Sequence, residues 1–301
     1  MTTKTIFSAE PHKGWLPWGL LAPFLCIVFV ALCALGPEPL LERQGWIDAR
    51  GEPLGLNGWY AFLVIPFALN GLLILAWTLW VERRPLATIG LTGPAPMKTL
   101  LGGVLVGGAT ILAVVIAIGL AGGYGPGPLA PALASPAALA GIGLLLLAFI
   151  VQSGVEEIIF RGWLLSAITR KLGLPVAVVL VSLVFTFLHY SPHQEVRVML
   201  SSFLFSAFAC AWAIRTGNIW GVMGWHAGWN WLLGTGFELP VTGFQLGLPA
   251  LLVKLTPQGS VFLTGGDQGP EGSWLCSAFF LVGIAVLWLW PRRAYPRPTL
   301  E

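Results

Sequence analysis

Charge is scarce in this sequence. Only 10% of its 301 residues are charged, 16 Lys and Arg against 13 Asp and Glu, while 56% are hydrophobic. A soluble domain carries roughly 25% charged residues, and a globule of this length has to cover its surface with polar side chains. The shortage excludes a soluble protein and makes lipid the solvent for most of the chain. Cysteine is scarce as well. Cys26, Cys33, Cys210 and Cys276 all sit in apolar runs without C-x-x-C spacing, which excludes a structural zinc cluster or a disulfide framework and leaves them as small apolar fillers. The basic residues come in ones and twos, so a net charge of +3 forms no basic stripe, and no nucleic-acid partner is expected. The apolar runs are continuous, without the alternation of membrane β-strands. No internal repeat is visible, which argues against a secondary transporter built from two related halves.

What is present is a series of apolar stretches near the 20 residues that cross a bilayer as helix. They run approximately from Trp15 to Leu35, Gly58 to Val81, Thr99 to Ala121, Ala137 to Leu165, Leu174 to Tyr190, Val198 to Ile214, Ile219 to Phe237 and Ser273 to Trp290. The expectation is an all-α, polytopic integral membrane protein of about eight transmembrane helices, residues 1–301 forming one transmembrane domain. The first run is too long for a signal-peptide core, and Leu32 precedes Cys33 where lipoprotein cleavage needs a small residue, so the N-terminal segment is expected to stay attached. A cytoplasmic N-terminus puts Lys4, Lys13, Arg83, Arg84, Lys98, Arg170, Lys171, Arg215, Arg292, Arg293 and Arg297 inside and only Arg43, Arg50, Arg197 and Lys254 outside. That asymmetry predicts both termini in the cytoplasm of a cell whose plasma or inner membrane holds the protein. Trp15, Trp18, Trp59, Trp80, Trp220, Trp288 and Trp290 fall near span ends and read as interfacial anchors. The stretch Gly123 to Pro136 reads as an external turn, and Leu246 to Leu255 as a short amphipathic or re-entrant piece of the outer segment.

Ionisable residues inside spans are costly and therefore functional suspects. Here they are Glu156, Glu157 and Arg161 in the fourth span, His189 at the end of the fifth, and His226 with Asn230 in the seventh. A purely structural network is a poor use of two adjacent carboxylates, because like charges a few ångströms apart are expensive to bury. On a helix Glu156 and Glu157 point about 100° apart, whereas Glu157 and Arg161 share a face, as do Phe185 with His189 and His226 with Asn230. Glu157 is therefore expected to pair with Arg161, leaving Glu156 to face elsewhere. At 1.5 Å per residue, Glu156, His189 and Asn230 fall roughly 20 Å and His226 roughly 14 Å from the cytoplasmic boundary, so one layer can hold all four. Gln152 lies one turn from Glu156 and can line the same interior; Gln152, Asn70 and Ser153 read first as interhelical hydrogen-bond formers. His193 and Glu195 read as solvated loop residues, and His12 carries no signal.

The set Glu156-Glu157-x-x-x-Arg161-Gly162, Phe185-x-x-x-His189 and His226-x-x-x-Asn230, in that order inside apolar spans, resembles the CAAX prenyl protease and bacteriocin-processing (CPBP, or Abi) family of intramembrane endopeptidases, which includes the type II Ras-converting group. The resemblance covers Ala137 to about Gly236, a catalytic core of roughly 137–236. It implies that Glu156 activates a water for attack on a peptide carbonyl, that His189 helps to hold that water, and that His226 and Asn230 stabilise the oxyanion, with Glu157, Arg161 and Phe185 in support. No cofactor is required on that reading. The alternative is a zinc site of His189, His226 and Glu156, although H-E-x-x-H is lacking. The expected partners are the lipid bilayer and a membrane-associated protein or peptide substrate: a prenylated tail, a bacteriocin leader or a sorting tail. Two other function classes, a proton-coupled transporter or channel and a non-enzymatic immunity-type membrane protein, stand as alternatives.

Overall fold

The computed structural model describes residues 6–190 and 195–289. Lys4, His193, Trp290, Arg292, Arg293 and Arg297 lie outside the described residues, as does the last residue of the eighth predicted span.

The chain is mostly helical because its long apolar runs leave the backbone no partner but itself. In order, the elements are α1 (Leu21–Leu35), α2 (Glu38–Arg43), α3 (Gly55–Ala76), α4 (Pro96–Leu120), β1 (Tyr124–Leu129), α5 (Pro136–Glu157), α6 (Leu165–Leu172), α7 (Leu174–Leu188), α8 (Val196–Thr216), α9 (Trp220–Gly236), β2 (Val253–Pro257), α10 (Val261–Thr264) and α11 (Trp274–Leu289). Among the described residues, five helical stretches are long and apolar enough to cross a membrane: 21–43, 55–81, 96–120, 136–172 and 196–216. α7 and α11 are apolar but shorter. The chain is an integral membrane protein.

The structure corrects three expectations. The fold is not purely α: β1 and β2 pair antiparallel, Tyr124 opposite Pro257 and Gly125 opposite Thr256. The stretch read as an external turn and the tail of the piece read as re-entrant thus form a two-stranded ribbon, whose Gly and Pro content had masked its pairing. The first predicted span begins too early. Lys13, Gly14 and Trp15 donate their backbone N–H groups to the carbonyls of Arg83, Glu82 and Val81, so the tail runs extended beside the end of α3, and helix starts only after Pro17 and Gly19. Trp59 is no interfacial anchor: it is 7% exposed and packs edge-on against Phe62 and Phe244.

Helix α5 shows why these residues form this element. Ser135 caps its start by accepting from the Ala138 N–H at 3.2 Å, and Pro136 occupies the first turn, where its missing N–H costs nothing. The helix then passes through a π-helical stretch, Ile158–Leu164, into α6. It stops at Gly173, whose φ of 84° reverses the chain into α7. A π-helical insertion often marks a functional position, since it rotates the side chains that follow it.

Helix α9 is held against α4 by small residues. A Cβ placed on Gly224 would stand 1.9 Å from the Leu100 carbonyl oxygen, and one on Gly228 would stand 2.1 Å from that of Val104. Facing them, Gly103 and Gly107 on α4 come just as close to the backbone of α9. Small residues spaced by four on both helices let the backbones touch, the packing that replaces the hydrophobic effect inside lipid. The tryptophans of α9 then tie it outward. Trp225 Nε1 donates to Thr110 Oγ1 at 3.0 Å, Trp229 Nε1 to Glu271 at 3.0 Å and Trp231 Nε1 to the Ile142 carbonyl at 2.9 Å. α9 is thereby clamped between α4, α5 and the turn before α11.

A second buried charge cluster braces the other end of the bundle. Glu82 accepts from Trp77 Nε1 at 3.0 Å and from Trp163 Nε1 at 2.7 Å, and it pairs with Arg84, which donates to Ser166 at 2.8 Å. Arg84 is 1% exposed. It serves as a structural cation joining α3 to α6 and not as a solvated loop charge.

Candidate active site

The motif residues come from three helices whose positions follow from the packing above. α5 delivers Glu156 and Glu157 at its end, α7 ends on Phe185 and His189, and α9 carries His226 and Asn230. Glu156, Phe185, His189, His226 and Asn230 all line a single cavity of about 600 Å³. Its other walls are largely apolar, with Phe62, Leu63 and Phe67 from α3, Phe149 from α5, Phe205 from α8 and Phe280 from α11.

The two glutamates have different neighbours, as their 100° separation requires. Glu157 is fully buried, and its Oε1 accepts from Arg161 Nη1 at 3.1 Å and from His226 Nδ1 at 2.8 Å. The second of these bonds has no sequence signal, because it joins residues 69 positions apart on helices that meet only in the fold. Glu156 points into the cavity. Its Oε1 accepts from Gln152 Nε2 at 2.8 Å, and its Oε2 stands 3.9 Å from His226 Nε2 without a hydrogen-bond partner. His226 therefore sits between the two carboxylates, one ring nitrogen toward each. Since Nδ1 faces a carboxylate oxygen, it is assigned the proton, and Nε2 looks toward Glu156.

Arg161 does not reach the cavity. Its guanidinium lies 4.6 Å from the Phe185 ring centroid and 5.8 Å from those of Phe160 and Phe205, an aromatic lining suited to a weakly hydrated, delocalised cation. Phe185 is the hinge of this arrangement. It stacks on His189 at 4.1 Å and on Phe205 at 5.5 Å, and Phe205 meets the His226 ring edge-on at 4.8 Å. His189, at the end of α7, holds its own orientation through Nδ1 on the Phe185 carbonyl at 2.8 Å. Asn230 directs its Nδ2 toward Gln152 Oε1 at 3.4 Å and Ser153 Oγ at 3.5 Å.

Polar residues outside the motifs also line the cavity. Asn70 from α3 lines it, and its Oδ1 is buried without a hydrogen-bond partner, so it does not join helices as its position had implied. A turn from Val241 to Phe244 also lines the cavity, bonded to Glu271, which accepts from the Thr242 N–H at 2.7 Å and Oγ1 at 3.0 Å. Nothing in the sequence singled Glu271 out, since the outer loops hold several isolated acids. Beside the cavity, Glu195 is hydrogen-bonded by Arg197, which holds its carboxyl below the usual range, and Arg197 also donates to the Gly272 carbonyl. Arg197 is thus a strap between α8 and the outer segment.

His189, His226 and Glu156 were the candidate zinc set. Among the described residues, no three His, Cys, Asp or Glu side chains are grouped so as to hold a metal ion. The bond from His226 Nδ1 to Glu157 leaves Nε2 directed toward Glu156.

Residues 138–232 match the family model for the type II CAAX prenyl endopeptidase Rce1-like proteins. No curated protein and no solved structure matches the chain. The matched stretch begins on the first turn of α5 and ends on α9, so it contains every motif residue and the whole sequence of helices that carries them. Together with the membrane-spanning helices, it supports a peptidase of the CAAX-type intramembrane class acting on a membrane-embedded protein. The segment that carries the site, residues 138–232, is thus similar to the type II CAAX prenyl endopeptidase Rce1-like proteins.

Proposed function

We propose that the chain hydrolyses a peptide bond of a membrane-associated protein or peptide with a water activated by Glu156. The observation that carries this reading is the pairing of an unpartnered Glu156 Oε2 with His226 Nε2, 3.9 Å away, in a cavity walled by aromatic side chains. In such a cavity a carboxylate is poorly solvated by water, and its remaining lone pairs seek a donor. Glu156 takes a proton from the water as its oxygen bonds to the carbonyl carbon. The carbonyl electrons move to oxygen, and the tetrahedral oxyanion forms beside the donors of His226 and Asn230. Glu157, bonded to Nδ1, fixes the orientation of the His226 ring, and Nε2 donates to the oxyanion when the ring carries both protons. Collapse breaks the C–N bond, and the proton held by Glu156 passes to the departing amine. His226 and Asn230 act as oxyanion donors, His189 holds the water, and Glu157 with Arg161 and Phe185 keeps His226 and His189 in place. No step needs a metal.

The test is a comparison of membrane proteins from the source cell with and without this chain by intact mass, backed by purified protein acting on a quenched farnesylated CAAX peptide. The proposal expects at least one membrane protein to gain mass when the chain is deleted and the purified protein to cut that protein. No mass change and no cut in any membrane protein would overturn it.

We further propose that all eight apolar helices cross the membrane, with both termini cytoplasmic. Asp267 and Lys171 are exposed at opposite ends of the bundle, and the four native cysteines are buried. A membrane-impermeant thiol reagent added to intact cells is expected to label Asp267→Cys and to spare Lys171→Cys. The reverse pattern would refute this orientation.

A further inference from the structure

Gln152 sits one turn before Glu156 on α5, and only 7% of it is exposed. Its Oε1 accepts from Ser153 Oγ at 2.8 Å and lies 3.4 Å from Asn230 Nδ2. Two donors on that oxygen set the orientation of the amide, so Nε2 must be the atom that faces Glu156, which it reaches at 2.8 Å. Glu156 Oε1 is thereby occupied, whereas Oε2 has no hydrogen-bond partner. A carboxylate with a free second torsion would present either oxygen to the cavity. This one is held by a neutral donor that is itself held from two sides.

We infer that Gln152 is a positioning residue: it grips one oxygen of Glu156 so that Oε2 is the atom that takes the proton from water, and through Asn230 it ties the base to the oxyanion side of the site. The inference rests on the reading of Glu156 as the base. A Gln and a Glu four apart on a solvated helix interact weakly; here water competition is largely removed, and a hydrogen bond to a charged group governs a rate factor of roughly 10 to 100. Nothing in the local sequence separates this role from ordinary packing, because the decisive contact comes from α9, 78 residues away.

The test uses the purified full-length protein in lipid nanodiscs. The infrared difference between wild type and Glu156→Gln isolates the carboxylate stretch of Glu156. Gln152→Met keeps the length of the side chain and suits a membrane helix, while Gln152→Asn keeps an amide for Ser153 and Asn230 but is one methylene too short to reach Glu156. Both variants are expected to move the Glu156 band, because its oxygen has lost a donor. Both are also expected to lower kcat on the quenched farnesylated CAAX peptide by about 10- to 100-fold with KM within about twofold. If Gln152→Met does not accumulate, Gln152→Asn carries the test. A band that stays in place in the folded variant, or an unchanged kcat, overturns the positioning role. The vibrational measurement needs no substrate, so it stands apart from the hydrolytic reading, whose own failure would be seen as cleavage by Glu156→Gln.

Discussion

Glu156→Gln is expected to abolish peptide hydrolysis while leaving the protein folded in the membrane. The substitution keeps the volume of the side chain and an oxygen that can accept from Gln152, so the packing of α5 against α9 is undisturbed. It removes the basicity on which proton transfer depends, and a positioned base contributes about 10²- to 10⁴-fold. Activity should fall by at least that factor, with unchanged thermal stability as the control for folding. The same preparation separates the two mechanisms. Wild-type protein dialysed exhaustively against a chelator should retain full activity without stoichiometric zinc. Activity that vanishes on dialysis and returns only with zinc would overturn the role given to Glu156 and promote the histidines to ligands.

Arg161→Ala is expected to deplete the protein from membranes. The guanidinium is fully buried, bonded to Glu157 and enclosed by Phe160, Phe185 and Phe205. Its loss leaves a carboxylate held only by His226 and opens a void among the rings, a penalty on the order of 3 kcal/mol or more. The double substitution Glu157→Gln with Arg161→Gln removes both charges and is expected to recover part of the lost protein, measured by quantitative immunoblot of purified membranes. Recovered protein should still be poorly active, since Glu157 also fixes His226 at 2.8 Å. No recovery would show that the pair is not what Arg161 stabilises.

Much of the membrane class was legible without coordinates, for a simple reason: the hydrocarbon core demands long apolar runs, and such runs are visible one residue at a time. The helices of the structure follow those runs, apart from the extended start before Leu21 and the β1–β2 ribbon. Both departures arise where Gly and Pro interrupt the run and the backbone finds partners far along the chain. The motif residues were equally visible, because a charged or imidazole side chain inside an apolar span stands out against its neighbours, and spacing by four places Glu157 with Arg161 and His226 with Asn230 on common faces.

The sequence by itself determined the solvent, the helices and the identity of the polar residues among them, since each depends on local composition and helical period. Tertiary structure alone decided how those residues are shared out. It set His226 between Glu157 and Glu156, turned Gln152 from a helix-face residue into the grip on a carboxylate, left Asn70 Oδ1 without a partner, and put Glu271 in the cavity wall. Apart from the Gln152–Glu156 bond along α5, these contacts join segments distant in sequence that meet only in the folded chain. Distances of that kind depend on how backbones pack, which no one-dimensional pattern encodes.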